Sequence, residues 1–365
     1  MGSQHNDRAI SRRQLLKVLA VAGLAVGGGS VLASGCSTPA APATPAKTEA
    51  AGKPDVDAAK KEGVISLYTS LDTAILDGIL NPFKQKYGID VKYYRAGARD
   101  VATKVLTEWD AKTYNVDVLD VSDVPTLAVM KGRDMLVPYK HAAWDAYLDS
   151  RKEKDGYWCW DRLTQVIIGY NTNAIKGADI PTGWGDLADP KYMNKLVTQE
   201  PSASTLRIYT VVTNLPDGWA WLEKVGKNRP KFVQTVQVMN TMNETGEVPV
   251  SIFQNDNISA RSRDSGKPTQ IVFPKEGLPT EPGGLAFMKN AKAPNAARLL
   301  IDWWLGDEGQ KANVAGYKYS PRLDMAPPKG APPLKDLKLW EEDNATLEKS
   351  LNEISDKINK AMTAK

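Results

Sequence analysis

From residue 64 onward this chain alternates short apolar runs with helical spacings, and that rhythm limits the folds open to it more than any other feature. Val64-Ile65-Ser66-Leu67-Tyr68 reads as a strand ending at the polar Thr69-Ser70. Residues 72–87 then set Ile75, Leu76, Ile79, Leu80 and Phe83 at helical spacing. Residues 89–94 alternate as a strand, Arg95-Ala96-Gly97-Ala98 turns it into a helix from about Arg99, and residues 116–121 form a third strand before Ser122-Asp123 and another helix. This βαβαβ order predicts a largely parallel sheet covered by helices. In such sheets ligands sit beyond the carboxyl ends of the strands. The polar residues just after each strand, Thr69, Ser70, Arg95, Ser122 and Asp123, are therefore the expected ligand contacts of this half.

The rhythm breaks and restarts at Gln165-Val166-Ile167-Ile168-Gly169-Tyr170-Asn171. Residues 196–199 read as a strand, and Glu200-Pro201-Ser202-Ala203-Ser204-Thr205 opens a helix expected to carry Trp219 and Trp221 further on. Residues 248–253 form another strand, which runs into Gln254-Asn255-Asp256-Asn257, a second polar loop placed to meet a ligand. Residues 270–274 and 284–287 look like strands returning to the first half. The expectation is an α/β protein of two lobes, each a mostly parallel sheet flanked by helices, with the ligand in the cleft. Lobe 1 takes residues 55–165 and 278–332, lobe 2 takes 166–277, and the crossings fall near 166–171 and 271–287. Residues 333–365 form a charged C-terminal helical segment, with Leu347, Leu351, Ile354 and Ile358 at near-helical spacing, expected as a peripheral helix on the surface.

Ahead of this body, Ser11-Arg12-Arg13-Gln14-Leu15-Leu16-Lys17 and the apolar run after it describe an export signal over residues 1–35. Its adjacent arginines resemble the twin-arginine type, while Gly23, Gly27, Gly28, Gly29 and Lys17 make the run a poor spanning helix. Leu32-Ala33-Ser34-Gly35-Cys36 resembles the lipobox of bacterial lipoproteins, which implies lipidation of Cys36; an ordinary cleavage site near a cysteine is the alternative. Residues 36–54, rich in Ala and Pro, lack apolar periodicity and read as a tether reaching roughly 50 Å. The expected location is the periplasm or the outer face of the cell membrane, with the membrane held through the lipid.

With the signal go Arg8, Arg12, Arg13 and Lys17 against Asp7 alone, so most of the +4 formal charge leaves and nucleic acid is not an expected partner. Cys159 is then the remaining thiol besides Cys36; no internal disulfide forms, and its neighbours Tyr157, Trp158 and Trp160 mark it as packed and inert. His141 is the one histidine left, read as a solvated loop residue, so histidine metal sites and Ser-His-Asp catalysis lack parts. Gly266-Lys267 fails as a phosphate loop because Arg261 and Pro268 stand where the motif needs Gly and Ser or Thr. Asp120 and Asp123 are the carboxylates on which a cell-surface hydrolase, the alternative from another class, would rest. The chain is expected to be a monomer that binds without catalysis, cofactor or metal. Ser202, Ser204 and Thr205 are its best anion contacts, since N–H groups and hydroxyls at a helix start favour negative charge; a serine that only caps its own helix is the other reading.

In the order of its blocks the chain resembles the ferric-iron and phosphorylated-compound branch of the extracellular solute-binding proteins of ABC importers. The resemblance runs from about Val64 to Pro327. It rests on Ser66-Leu67-Tyr68-Thr69-Ser70, Val105-Leu106-Thr107-Glu108, Asp117-Val118-Leu119 and Gly169-Tyr170-Asn171-Thr172, and on Trp184-Gly185-Asp186-Leu187-Ala188-Asp189-Pro190. Glu247-Val248-Pro249-Val250 and the run from Asp302 to Gln310 complete it. The resemblance implies two α/β lobes that close on a solute and deliver it to a membrane permease. Ferric-binding members carry adjacent tyrosines after the strand that here reads 248–253, and this chain has Gln254-Asn255-Asp256-Asn257 instead. Its one adjacent pair, Tyr93-Tyr94, points to opposite faces of another strand. The expected ligand is therefore a small anion, a phosphate ester, phosphonate or carboxylate, with ferric iron as the alternative.

Overall fold

In the computed structural model, which describes residues 54–340 and 344–363, the first lobe opens with α1 (Val56–Glu62), β1 (Val64–Thr69), α2 (Thr73–Tyr87), β2 (Asp90–Arg95), α3 (Ala98–Asp110), β3 (Val118–Val121), α4 (Val124–Gly132) and β4 (Leu136–Val137). Helix α2 shows how the sequence enforces this. Asp72 caps its start, its side chain accepting from Ala74 N at 3.1 Å, and Gly88 ends it in the left-handed region at φ 71°. Between these signals Ile75, Leu76, Ile79, Leu80 and Phe83 form one buried stripe. Burying each of the larger ones contributes about 1.5–3 kcal/mol.

Strand β5 (Trp158–Asn171) then carries the chain across. Its first half pairs antiparallel with β10 (Leu278–Met288), down to Gln165 opposite Thr280. Its second half pairs with β8 (Val250–Asn255) from Val166 onward and with β9 (Thr269–Val272). The second lobe also holds β6 (Leu196–Gln199), α5 (Pro201–Asn214), α6 (Gly218–Lys227), β7 (Lys231–Val233), α7 (Val236–Thr245) and α8 (Asp256–Asp264). Helices α9 (Pro294–Leu305) and α10 (Asp307–Ala315) return to the first lobe, and β11 (Leu339–Trp340) and α11 (Asn344–Thr363) close the chain.

The main strand order is β2-β1-β3-β10-β5-β8-β6-β7. The sheet is mixed. Strands β2-β1-β3 and β8-β6-β7 are parallel, as the βα rhythm requires, while β10 and β5 run against their neighbours because they are the crossings. Apolar packing follows the same division. One core gathers Ile65, Leu67, Ile79, Phe83, Leu300 and Trp304; another gathers Val166, Trp184, Ile208, Leu222, Phe253 and Trp340; and Leu163, Tyr319 and Leu334 form a small cluster at the crossing.

Two local expectations are corrected here. The helix after Glu200 does not reach Trp219: it stops at Asn214, and Trp219 and Trp221 ride on α6. Pro216 explains the break, having no N–H to give and clashing with the preceding turn. The C-terminal helix is not peripheral. Ile358, Ala361 and Met362 belong to the second core, and α11 approaches α6 so closely that a Cβ at Gly226 would overlap the backbone of Ala361 and Met362.

Candidate functional site

A cavity of about 480 Å³ lies where the strand ends of both lobes face one another. From the first lobe come Ser70, Leu71 and Asp72 after β1, Arg95 at the end of β2 and Ser122 after β3. The parallel register makes this grouping inevitable, since Thr69 stands beside both Arg95 and Asp120 and the three chains leave the sheet together. The second lobe supplies Gln199 at the end of β6, Thr235 and Gln237 at the start of α7, and Asn255, Asn257 and Arg261 on β8 and α8. The floor is made by the crossings: Arg162, Thr164, Glu281 and Lys318, with Arg207 of α5 beside them.

Arg162 anchors the first-lobe wall. Its Nη1 donates to Asp120 and, at 2.7 Å, to Asp161, and its Nη2 reaches Ser70 Oγ at 3.3 Å. Ser70 Oγ also accepts from the backbone N of Ser122 at 3.1 Å, so the two strand ends are tied through one hydroxyl. Asp120 and Asp161 have no exposure and Arg162 only 4%. Burial pushes the Asp161 carboxyl up to about 7, against the opposing charge of Arg162. Opposite this pair β10 shifts register between Gly283 and Gly284, and a Cβ at Gly283 would overlap both the Arg162 guanidinium and the Asp161 carboxylate. Glycine is what leaves room for buried charge here.

The second-lobe wall is held by Arg207, which pairs bidentately with Glu281 at 2.5 and 2.7 Å and donates to the carbonyl of Phe253 at 3.0 Å. Phe253 takes φ 58°, a left-handed conformation that costs a bulky residue of order 1–3 kcal/mol. Its ring stacks on Trp184 at 5.3 Å and 19°, which fixes it in place. The strained residue coincides with the register shift against β5, and beyond it Asn255 faces the cleft. Lys318 donates to Thr164 Oγ1 at 2.6 Å and to Asn257 Oδ1 at 3.0 Å. Burial lowers its amine to about 8, although Asp256 pulls the other way. At the mouth, Arg261 Nη1 of α8 meets Asp72 of the first lobe at 3.4 Å, with both side chains more than two-fifths exposed.

Of the residues read from sequence, Ser70, Arg95, Ser122, Asn255 and Asn257 line the cleft. The others do not. Thr69 is fully buried, its hydroxyl donating to Asp120 and accepting from Leu71 N, so it braces the strand end. Asp123 sits before α4 and accepts from Thr126 Oγ1 at 2.7 Å. Asp256 is 3% exposed and accepts from Gln165 N at 3.1 Å, behind the wall that Asn257 presents. The helix-start cradle is not formed. Ser202 is exposed outside the cavity lining, Ser204 Oγ is buried without a partner, and Thr205 turns its hydroxyl back to the Pro201 carbonyl at 2.9 Å. Glu200, not Ser202, stands at the helix cap. His141 is also corrected, being 1% exposed and packed edge-on against Trp144 and Tyr147, with burial lowering it to about 3. Cys159 is 2% exposed, and burial raises its thiol. Tyr93 and Tyr94 lie exposed on the edge strand β2, away from the cavity. Cys36 and the export signal lie outside the described residues.

Sequence reading missed the floor: Arg162, Thr164, Arg207, Glu281 and Lys318. The signal for one of them was present, since Asp161-Arg162 interrupts an otherwise apolar strand, and a charged pair inside such a strand needs buried partners.

Two α/β lobes joined by crossing strands, with a polar cavity at their facing strand ends, define a solute-binding protein. The family model described as bacterial extracellular solute-binding protein matches residues 78–341. The chain belongs to that family, the exported receptors of ABC importers, which bind small solutes and are not enzymes. A relative, the spermidine/putrescine-binding periplasmic protein 1 of Haemophilus influenzae, is 27% identical over 280 residues, covering 70% of this chain and 75% of its own. Two solved structures share the fold. Iron-bound HitA from Pseudomonas aeruginosa has a TM-score of 0.68 at 21% identity, covering 81% of this chain and 99% of its own. AfuA from Actinobacillus pleuropneumoniae, with fructose-6-phosphate bound, has a TM-score of 0.67 at 21% identity, covering 81% and 98%.

Proposed function

We propose that this receptor captures a small anion, a phosphate ester, phosphonate or carboxylate, and hands it to its permease while held to the membrane by lipid on Cys36. The observation that carries the reading is the charge facing the cavity: Arg95, Arg162, Arg207, Arg261 and Lys318 against Asp72 and Glu281. Those two carboxylates are paired with Arg261 and Arg207, and Arg162 with Asp120 and Asp161, which leaves Arg95 and Lys318 as the lining cations that form no salt bridge among the described residues. The remaining acids, Asp120, Asp161 and Asp256, are buried and off the cavity lining. A ligand entering the cleft therefore meets guanidinium, ammonium, hydroxyl and amide donors, which suit phosphoryl and carboxylate oxygens. A polyamine would need the reverse. Ferric iron finds no tyrosine on this lining, and among the described residues no group of three or more His, Cys, Asp or Glu could hold a metal; a hard cation wants anionic oxygens free of other partners.

Thermal melts of the purified protein with glycerol 3-phosphate, citrate, spermidine and ferric iron test this. A ligand at a hundred times its Kd stabilises by about 2.7 kcal/mol, so an anion should raise the Tm and spermidine should not. Stabilisation by spermidine with none by either anion, or stoichiometric iron in the native protein, would sink the reading. The anchor has its own test: a fatty-acid analogue should label the exported protein, and Cys36→Ser should lose the label.

A further inference from the structure

The two lobes are joined by more chain than β5 and the β9–β10 passage. After α10, which packs on α2 in the first lobe, the chain runs back over the hinge. Leu163 N donates to the Tyr319 carbonyl at 2.9 Å in an antiparallel bridge, and the Tyr317 hydroxyl donates to Asp264 of α8 at 2.9 Å. Further on, β11 pairs with Leu278 and Pro279, Trp340 enters the second core, and α11 packs on α5 and α6. This is a third crossing. Where it passes the cavity floor it places Lys318, 6% exposed yet lining the cleft.

The Lys318 ammonium has three donors. One goes to Thr164 on the first-lobe half of β5, and one goes to Asn257 at the start of α8 in the second lobe. Thr164 in turn stands opposite Glu281 on β10. A single amine on the third crossing thus bonds the first crossing and the far lobe, one residue pair away from the second crossing. Any motion that parts Asn257 from Thr164 would cost the amine one of these two bonds. Two of its donors are engaged, and the residue lines the cavity.

Resting on the anion reading above, we infer that Lys318 couples occupancy to closure: its third N–H bonds the anionic group of the solute, so that the ligand is joined to a side chain whose other two bonds tie the first-lobe half of β5 to the start of α8. A ligand shifts a conformational equilibrium only by its differential affinity for the two states, and the contact to Lys318 is the one proposed to supply that difference. The groups facing this amine are Asp256 from α8, Glu281 from β10, Arg162 from β5 and Arg207 from α5. The two arginines and burial disfavour its charge, and an incoming anion restores it, so binding near pH 8 takes up a proton.

Glycerol 3-phosphate is the probe, used with the full-length protein. Calorimetry at pH 8 in buffers of different ionisation enthalpy should show uptake of up to about half a proton on binding, given an amine near 8. Small-angle scattering should show compaction on saturation. In Lys318→Met the affinity should fall at least tenfold, the proton uptake should vanish, and saturating ligand should no longer compact the protein. Lys318→Arg, which keeps the charge, should bind and close but take up no proton, and it serves if the methionine variant does not fold. Wild-type binding that ends with Lys318→Met binding, taking up protons and closing like wild type overturns the coupling while leaving the anion reading intact. No binding of the probe or of citrate to the wild type overturns both.

Discussion

Replacing Arg162 with methionine removes the guanidinium that lies between two carboxylates with no exposure to water. Methionine keeps most of the apolar stem, so the electrostatic loss dominates the packing loss. Breaking a buried pair by deleting one partner costs about 3–5 kcal/mol, because the other charge stays buried and uncompensated. Two carboxylates lose the same partner here, but Asp161, which burial has already lifted to about 7, takes a proton near neutral pH at little cost. The single-pair figure therefore applies, with Asp120 as the residue left stranded. For roughly 300 folded residues the entropy of unfolding is about 0.6 kcal/mol/K, so the Tm should fall by about 5–8 °C. Circular dichroism melts of the ligand-free protein at pH 7 measure it. Adding Asp120→Asn to Arg162→Met should recover at least half of the loss, since removing both partners is cheaper than removing one. A Tm unchanged in the single variant, or a double variant no better than the single, would refute the argument that buried charge balance holds this wall.

Arg95→Gln should weaken glycerol 3-phosphate binding by about 10- to 100-fold, as a lost hydrogen bond to a charged group is worth about 1.5–3 kcal/mol; the residue is exposed and holds only a 3.4 Å bond to the Leu71 carbonyl, so Tm without ligand should stay put. Ser204→Ala with Thr205→Ala should leave affinity unchanged by calorimetry, and a tenfold loss would restore the helix-start cradle that the side-chain directions deny. Asp256, lifted to about 7 by burial with Lys318 opposing, holds a proton in the folded state that the unfolded chain releases near 4. Its contribution to stability is thus largest at the acid end and is lost as pH rises through that interval, by at most about 1.4 kcal/mol per pH unit. Carboxylates held low, such as Asp264 beside Lys329 and Arg263, act below this window. Urea titrations at pH 5 and pH 7 should show a smaller difference in Asp256→Asn than in wild type, and equal differences would exclude Asp256 as the source.

The parallel strands were readable because their chemistry is local. Val64–Thr69 alternates, its neighbours repeat the pattern, and a helix signal follows each. Strand ends inherit that clarity, which is why sequence alone points to Ser70, Arg95 and Ser122, and these line the cavity. Side-chain direction within a helix start was not readable in the same way. Ser202, Ser204 and Thr205 have the composition of an anion cradle, but successive residues of a helix point about 100° apart, so three hydroxyls in four positions cannot share one target. Only Arg207, further along the helix, projects into the cavity.

The floor escaped for a different reason. Arg162, Glu281 and Lys318 come from segments 119 and 37 residues apart in sequence, and nothing in any one segment names the others. Each is a charge in a run that otherwise reads as strand or loop, and its meaning appears only when β5, β10 and the third crossing are brought side by side. Buried charge needs partners, so a charged residue inside an apolar strand is a promise that distant chain will supply one. In this protein those promises are all redeemed at the hinge, which is also where a receptor must convert contact with its solute into movement of its lobes. That coincidence has a physical basis. A hinge packed only with apolar side chains would respond to burial area, which any ligand provides, whereas a hinge balanced on paired charges responds to the sign of what enters. On the anion reading proposed above, the cations of this floor, and Lys318 above all, would make closure selective for negative charge at the same atoms that make it possible.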